Sequence, residues 1–125
     1  MTIFAVTYRY TDDIATRDDN RTEHRDYLRD LAVQGRLLVS GPYGPNDDAG
    51  ALLLFSAESR GEVEALVRDD PFTVHGVIAE TGTAEWEPVI GPLLPAIRDT
   101  QAAAAEPATA FPAPSTAAAH RQDRP

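Results

Sequence analysis

Two short segments of the sequence are apolar at every position, and they constrain the fold more than any other feature. Residues 3–6 read Ile-Phe-Ala-Val, and residues 52–55 read Leu-Leu-Leu-Phe. Successive side chains of a strand point to opposite faces, so a segment that is apolar throughout predicts a strand covered on both faces. We therefore expect both segments to be central strands of one sheet.

The segments around these two strands alternate between strand-like and helix-like patterns. A helix is predicted at residues 20–35, and a second helix opens at the capping box of Ser59 and Glu62 and ends before Pro71. The four predicted strands are residues 3–10, 36–40, 51–55 and 77–86. The resulting order, β-α-β-β-α-β, is that of a ferredoxin-like α+β subunit, in which the first and third strands are central.

The first predicted helix has a start, an end and a buried stripe. Asn20 with Glu23 is a variant of the capping box, so residues 12–19 are predicted to form a polar connection before the helix. Gly35 suits the position that follows the last helical turn. The residues predicted to be buried are Leu28, Leu31 and Ala32.

The second face of such a sheet predicts an oligomer. Two helices cover one face of four strands, and the other face would expose an apolar patch larger than the few hundred Å² that monomers usually leave open. The simplest cover is a second copy packed sheet to sheet, so we expect a homodimer.

The end of the chain differs in composition from the rest. From residue 96 onward it is rich in alanine and proline, with one aromatic residue, Phe111. A segment of this kind buries too little apolar surface to offset its ordering entropy, although alanine allows a helix near residues 97–105. We therefore expect a folded domain at residues 1–95 and a disordered tail at 96–125.

Charge and composition exclude several function classes. Residues 1–91 carry 8 arginines and 17 acidic residues, and the chain contains neither lysine nor cysteine. An acidic domain repels nucleic acid, and lysine Schiff bases and cysteine chemistry are excluded. The first 13 residues have neither a signal-peptide pattern nor a membrane span, so a cytoplasmic protein without membrane association is expected. No histidine spacing suits a metal, and the loop at residues 41–50 lacks a phosphate-binding pattern, so no metal or cofactor is expected.

Among the three histidines, His24 has the most informative position. It lies one turn before Leu28, on the inner edge of the predicted helix. It is either a boundary residue hydrogen-bonded to a backbone carbonyl or a general acid–base. His75 is expected to be exposed on a turn, and His120 lies in the predicted tail.

Asp70 is the second candidate. Asp69 and Asp70 both fall at the end of a helix, where the helix dipole disfavours negative charge. An aspartate before Pro71 is ordinary turn chemistry, but two acids in this place suggest that at least one has a partner.

Three motifs in succession resemble those of YciI-related proteins, over roughly residues 3–88. The first begins at Arg21 and reads Arg-x-x-His-x-x-Tyr-Leu, the second begins at Gly35 and reads Gly-Arg-Leu-Leu-x-Ser-Gly-Pro, and the third begins at Asp69 and reads Asp-Asp-Pro-Phe. The resemblance implies a dimeric α+β barrel and a cleft with a histidine–aspartate pair, which maps here to His24 and Asp70. Some relatives are implicated in removing chloride from chlorinated hydroxyquinols, and many have no assigned reaction.

With this resemblance, the candidate site has two catalytic residues and four that contact the substrate. Asp70 would orient the imidazole of His24, whose free nitrogen would exchange a proton with a small ligand. Arg36 and Ser40 would bind an anionic or phenolic group, and Tyr27 and Phe72 would form an apolar wall, unless they are core residues. The protein is then either a lyase-like acid–base enzyme acting on a ring-hydroxylated aromatic or a non-catalytic module for ligand binding or dimerisation.

Overall fold

The structure, a computed structural model, describes residues 1–105. Within this range a four-stranded antiparallel sheet packs against helices. The strands are β1 (Thr2–Tyr10), β2 (Leu37–Pro42), β3 (Gly50–Ala57) and β4 (Ile78–Trp86). The helices are α1 (Ile14–Val33), α2 (Arg60–Asp69), the single-turn α3 (Pro71–Val74) and α4 (Leu94–Ala105).

The sheet order is β2-β3-β1-β4, so the two strands predicted to be central are central. β1 pairs with β3 and β4, and β3 also pairs with β2, all antiparallel. The prediction of a ferredoxin-like α+β fold is therefore confirmed.

The core lies between the sheet and the helices. From β1, alternate residues point into it, and their partners on β3 face the same way. Burying each large apolar side chain there contributes about 1.5–3 kcal/mol to stability. The core residues of β1 and β3 are Phe4, Val6, Tyr8, Ala51, Leu53, Phe55 and Ala57, and those of α1 and α2 are Leu28, Leu31, Val63, Leu66 and Val67.

Helix α1 begins at Ile14, six residues before the predicted start, so that prediction was wrong. The cap is Asp13, whose carboxylate accepts hydrogen bonds from the Thr16 backbone N–H at 3.1 Å and hydroxyl at 2.6 Å. Asn20 lies inside the helix and donates to the carbonyl of Thr16. The polar residues between them are compatible with a helix because its outer face meets solvent.

The predicted buried stripe of α1 is also corrected at one position. Leu28 and Leu31 are buried, but Ala32 is exposed. Ala32 faces the rim of a cavity beside β2 instead of the core.

The second predicted helix has the expected cap. The Ser59 hydroxyl accepts a hydrogen bond from the backbone N–H of Glu62. The Glu62 carboxylate accepts one from the backbone N–H of Glu58, so both residues of the predicted capping box pair with backbone donors at the start of α2. After α2 the chain turns at Asp70 and forms α3, which begins at Pro71 and was not predicted. Asp70 therefore ends one helix and caps the next.

The second face of the sheet is only partly covered. Leu52 and Trp86 on this face are 40% and 43% exposed, and Val39 on the edge strand is 59% exposed. At one end, Gln101 of α4 donates to the Ser56 hydroxyl and the Met1 carbonyl. The middle of the face has no such cover from residues 1–105.

Helix α4 crosses the boundary that the sequence predicted at residue 95. Ala104 lies so close to Gly35 (φ +76°) that a Cβ at position 35 would overlap it. Residues 96–105 are helical, and the remainder of the predicted tail lies outside the described residues. Among residues 1–105, none of the helices is long and apolar enough to cross a membrane.

Candidate active site

His24 and Asp70 meet between α1 and α3. The Nδ1 atom of His24 lies 2.8 Å from Oδ1 of Asp70, and the two side chains are 9% and 1% exposed. His24 reaches this position because it lies one turn before the buried Leu28 on the inner face of α1. Asp70 reaches it because it occupies the corner between α2 and α3.

The carboxylate of Asp70 has three hydrogen-bond donors. Its Oδ1 atom also accepts from the backbone N–H of Phe72 at 2.9 Å, as the cap of α3. Its Oδ2 atom accepts from the hydroxyl of Tyr8 at 2.8 Å. Because an ionised carboxylate only accepts, His24 donates through Nδ1–H, and the neutral ring keeps its lone pair on Nε2.

Tyr8 brings β1 into this network. Its side chain points into the core, where a hydroxyl needs a partner, and Asp70 supplies one. Burial, followed by the neighbouring Asp70 charge, raises the pKa of the Tyr8 phenol well above its usual range. The phenol therefore remains a proton donor to Asp70 at neutral pH.

Aromatic packing fixes the plane of the imidazole. The ring of His24 stacks on Phe72, with centroids 3.8 Å apart and planes 3° apart. Phe72 in turn meets Tyr10 edge to face at 5.5 Å. The ring is thus held by a hydrogen bond at one nitrogen and by a stacked wall, while Nε2 has no hydrogen-bond partner among residues 1–105.

The His24 ring lines a cavity of about 820 Å³ between α1, β2 and α3. A cavity of this size accommodates a small organic ligand. Its walls combine apolar side chains with the polar edge of β2. The lining residues are Tyr10, Arg21, His24, Arg25, Leu28, Arg29, Ala32, Leu37, Leu38, Val39, Ser40, Gly41, Pro42, Ala51, Leu53 and Phe72.

The structure brings two of the four predicted substrate contacts to this cavity. Phe72 and Ser40 line it together with His24. Arg36 does not, because its guanidinium pairs with Glu62 at 2.9 Å. Tyr27 does not either, because its hydroxyl donates to the Leu66 carbonyl at 2.7 Å and holds α1 to α2.

The burial of Tyr27 has an electrostatic consequence. Its partial burial, followed by the charges of Asp69 and Asp70, raises the pKa of Tyr27 to about 12. The hydrogen bond from Tyr27 to Leu66 and the ion pair of Arg36 with Glu62 both join separate segments of the chain outside the cavity.

Sequence reasoning missed Tyr8, Tyr10 and the arginines of α1. A signal for Tyr8 was present, since it shares a strand face with the apolar Phe4 and Val6, and a tyrosine there must satisfy its hydroxyl inside the core. The arginines were harder to find, because their approach to the cavity depends on how α1 sits on β2.

Two further features of residues 1–105 bear on the chemistry. No cluster of three or more histidine, cysteine or acidic side chains in this range could hold a metal ion. His75 is not among the residues that line the cavity: its side chain is 46% exposed, and its Nε2 atom lies 3.8 Å from a carboxylate oxygen of Glu23.

Comparison with known proteins gives one family match. A family model described as the YCII-related domain matches residues 1–87. No curated protein matches the chain.

Solved structures provide two comparisons. The chain is 31% identical to 5-chloro-2-hydroxyhydroquinone dehydrochlorinase (TftG) from Burkholderia phenoliruptrix, solved in complex with 2,5-dihydroxybenzoquinone; the match covers 68% of this chain and 93% of that chain, with a TM-score of 0.60. Protein Atu4242 from Agrobacterium tumefaciens is 16% identical, over 71% of this chain and 94% of that one, with a TM-score of 0.43.

Proposed function

The chain belongs to the YCII-related domain family, and on that premise we propose that it is a small-molecule enzyme whose His24–Asp70 pair performs acid–base chemistry on a ring-hydroxylated aromatic. The reaction type that we propose is that of a lyase, such as the elimination of hydrogen chloride. The observation that carries the proposal is the imidazole whose Nδ1 is held by Asp70 while its Nε2 is unpartnered at a cavity.

The pair supports proton transfer in both directions. Nε2 accepts a proton from a substrate hydroxyl, and Asp70 stabilises the imidazolium that forms. The imidazolium then delivers the proton to the ring carbon that carries chlorine, which gives the keto tautomer. Nε2, neutral again, then accepts the proton of a second hydroxyl, whose electron pair moves into the ring, and chloride leaves with the electrons of the C–Cl bond to give a hydroxyquinone. The net change is loss of one HCl, because Nε2 releases the second proton to solvent, and the total oxidation level of the ring and its substituents is unchanged.

The cavity walls suit a planar hydroxylated ring. Leu28, Leu53 and Phe72 offer apolar surface, and the hydroxyl of Ser40 offers a hydrogen-bonding group at the edge of β2. TftG, at 31% identity, was solved with 2,5-dihydroxybenzoquinone, which is also a planar ring that carries hydroxyl groups. This likeness supports the substrate class that we propose.

The test is chloride release from 5-chloro-2-hydroxyhydroquinone by the full chain. We expect His24→Gln to lower turnover by about 100-fold or more, the usual contribution of a general acid–base. His75→Gln is the matched control, because it removes an exposed imidazole outside the cavity and should leave turnover unchanged. Circular dichroism confirms that both variants are folded. Equal turnover in the two variants would rule out the proposed role of His24.

A second candidate is a non-catalytic module that binds ligands of this class. One observation favours it: Asp70 is fully buried and ties β1, α1 and α3 together, which is a structural function in its own right. A module would bind 2,5-dihydroxybenzoquinone without releasing chloride from the chlorinated substrate. The wild-type assay above therefore separates the two candidates.

We further propose that the protein is a cytoplasmic homodimer. The support for the dimer is the partly covered sheet face with exposed Leu52 and Trp86.

A further inference from the structure

The charged residues that line the cavity are opposite in sign to the net charge of the protein. The chain has a formal net charge of −9. Yet three arginines and no aspartate or glutamate are among the residues that line the cavity. A cleft that concentrates one sign of charge favours a ligand of the other sign.

The three arginines, Arg21, Arg25 and Arg29, are spaced four residues apart on α1. Residues at this spacing lie on one face of a helix, so the guanidinium groups form a row along the cavity. His24 and Leu28 lie on the adjoining row, which faces inward. The arginine row therefore adjoins the helix row that carries His24.

The arginines differ in how their charge is compensated. Arg21 pairs with Asp18 at 2.8 Å, and Arg29 pairs with Asp26 at 3.0 Å. Within residues 1–105, Arg25 forms neither an ion pair nor a hydrogen bond. Among the three arginines, Arg25 is thus the one whose guanidinium has no protein partner within residues 1–105.

The charge of this row is felt inside the cavity. Burial, followed by the charge of Asp70, raises the pKa of Tyr10 in the cavity wall, and the nearby guanidinium groups of Arg17, Arg21 and Arg25 oppose that rise. Two of these three arginines, Arg21 and Arg25, line the cavity.

We propose that Arg25, assisted by Arg21, forms a subsite for an anionic oxygen substituent, so that the substrate is a ring-hydroxylated aromatic anion. This inference rests on the proposed function, because it assumes that the ring occupies the cavity beside His24. The planar guanidinium matches a carboxylate through two parallel hydrogen bonds. The subsite would fix which ring hydroxyl faces Nε2.

The test uses two ligands with the same ring and the same hydroxyl groups, 2,5-dihydroxybenzoate with an anionic carboxylate and 2,5-dihydroxybenzamide with a neutral amide in its place. Titration calorimetry measures the dissociation constants of both for the full chain. We expect the carboxylate to bind about tenfold more tightly than the amide, the scale of one charge-assisted hydrogen bond. The preference should shrink as salt is raised, because part of the subsite is exposed to solvent.

Two variants locate the preference. Arg25→Gln should abolish most of it, and Arg25→Lys should retain part of it. The control is Arg68→Gln, which removes the same charge from the exposed end of α2, away from the cavity, and should leave the preference intact. Retention of the full preference in Arg25→Gln would overturn the assignment.

The remaining outcomes distinguish this inference from the proposed function. Equal binding of both ligands by the wild type would overturn the anionic subsite, whereas chloride release that depends on His24 would still uphold the enzyme. If neither ligand binds at millimolar concentration, the subsite is overturned together with the ligand class. Chloride release that is unaffected by His24→Gln would contradict the acid–base role alone.

Discussion

Asp70 accepts hydrogen bonds from Tyr8, His24 and Phe72, which come from three different elements. At the scale of single residues this is the most demanding polar position among those described. A buried carboxylate that lost a donor would have no water to replace it, so each of the three donors carries a larger penalty on removal than an exposed hydrogen bond does.

The cost of removing one donor from Asp70 is best measured at Tyr8. Tyr8→Phe removes the hydroxyl, keeps the ring and leaves Oδ2 of Asp70 unpaired. We expect the free energy of unfolding to fall by about 1–3 kcal/mol, the usual cost of a buried unsatisfied group. Urea denaturation measures it, with Tyr43→Phe in the exposed loop as the control. A loss no greater than that of the control would show that the Tyr8 hydrogen bond contributes nothing to stability.

Three tyrosines predict how the free energy of unfolding responds to alkaline pH. The pKa values of Tyr8, Tyr10 and Tyr27 are all raised in the folded protein. Below about pH 10 these phenols are protonated in both states, and above it the unfolded chain binds fewer protons, so stability must fall as pH rises. The buried Tyr8 phenol contributes a slope of up to about 1.4 kcal/mol per pH unit, and the more exposed Tyr10 and Tyr27 contribute less.

The measurement is the free energy of unfolding between pH 9 and pH 11. We expect a plateau followed by a decline above about pH 10, with a shallower decline in Tyr8→Phe because one titrating phenol is gone. Identical slopes in wild type and variant would contradict the raised pKa of Tyr8.

At the scale of elements, α1 positions most of the site. It carries His24 inward and the arginine row along the cavity, and it begins at Ile14, four residues after the end of β1. Asp13 provides that start through its two hydrogen bonds to Thr16.

The position of the cap gives a prediction at this scale. We expect Asp13→Ala to lower the free energy of unfolding by about 1 kcal/mol, because a capping side chain satisfies an otherwise unpaired backbone N–H. Asn20→Ala is the matched comparison, since Asn20 is inside the helix, where alanine is the better helix former, and its loss should cost less. Thermal or urea unfolding of both variants decides the matter. A larger loss for Asn20→Ala would place the start of the helix where the sequence pattern put it.

At the scale of the whole molecule, the sheet has one face in the core and one face partly open. The open face carries Leu52 and Trp86, with α4 at one end. An apolar face of this kind is stable in water when a second copy covers it. The division of the chain into a domain and a tail at residue 95 is a separate prediction.

Disruption of that face should separate the proposed dimer. We expect sedimentation of the full chain at micromolar concentration to give a dimer, and Leu52→Arg to give a folded monomer, because burying an unpaired guanidinium opposes association. Val33→Arg is the control, since Val33 is 85% exposed on α1 and its charge should leave the dimer intact. A wild-type monomer would contradict the proposal.

Much of the fold follows from local patterns. An apolar run such as residues 52–55 favours the middle of a sheet over its edge, so the central strands could be predicted. The capping box at Ser59 and the proline after Asp70 act within a few residues of themselves, and their consequences were predictable for the same reason. The start of α1 was not, because Asp13 and Asn20 are both acceptable caps and their neighbours do not choose between them.

The candidate site was predictable in part. The sequence by itself determined that His24 lies on the inner face of a helix and that at least one of Asp69 and Asp70 has a partner, because helical periodicity and the helix dipole are local properties. Only the tertiary structure decided that Tyr8 completes the network, that Arg36 and Tyr27 are held elsewhere, and that the arginines of α1 line the cavity. These outcomes depend on how elements far apart in the chain approach one another, and that approach is set by packing of the whole core.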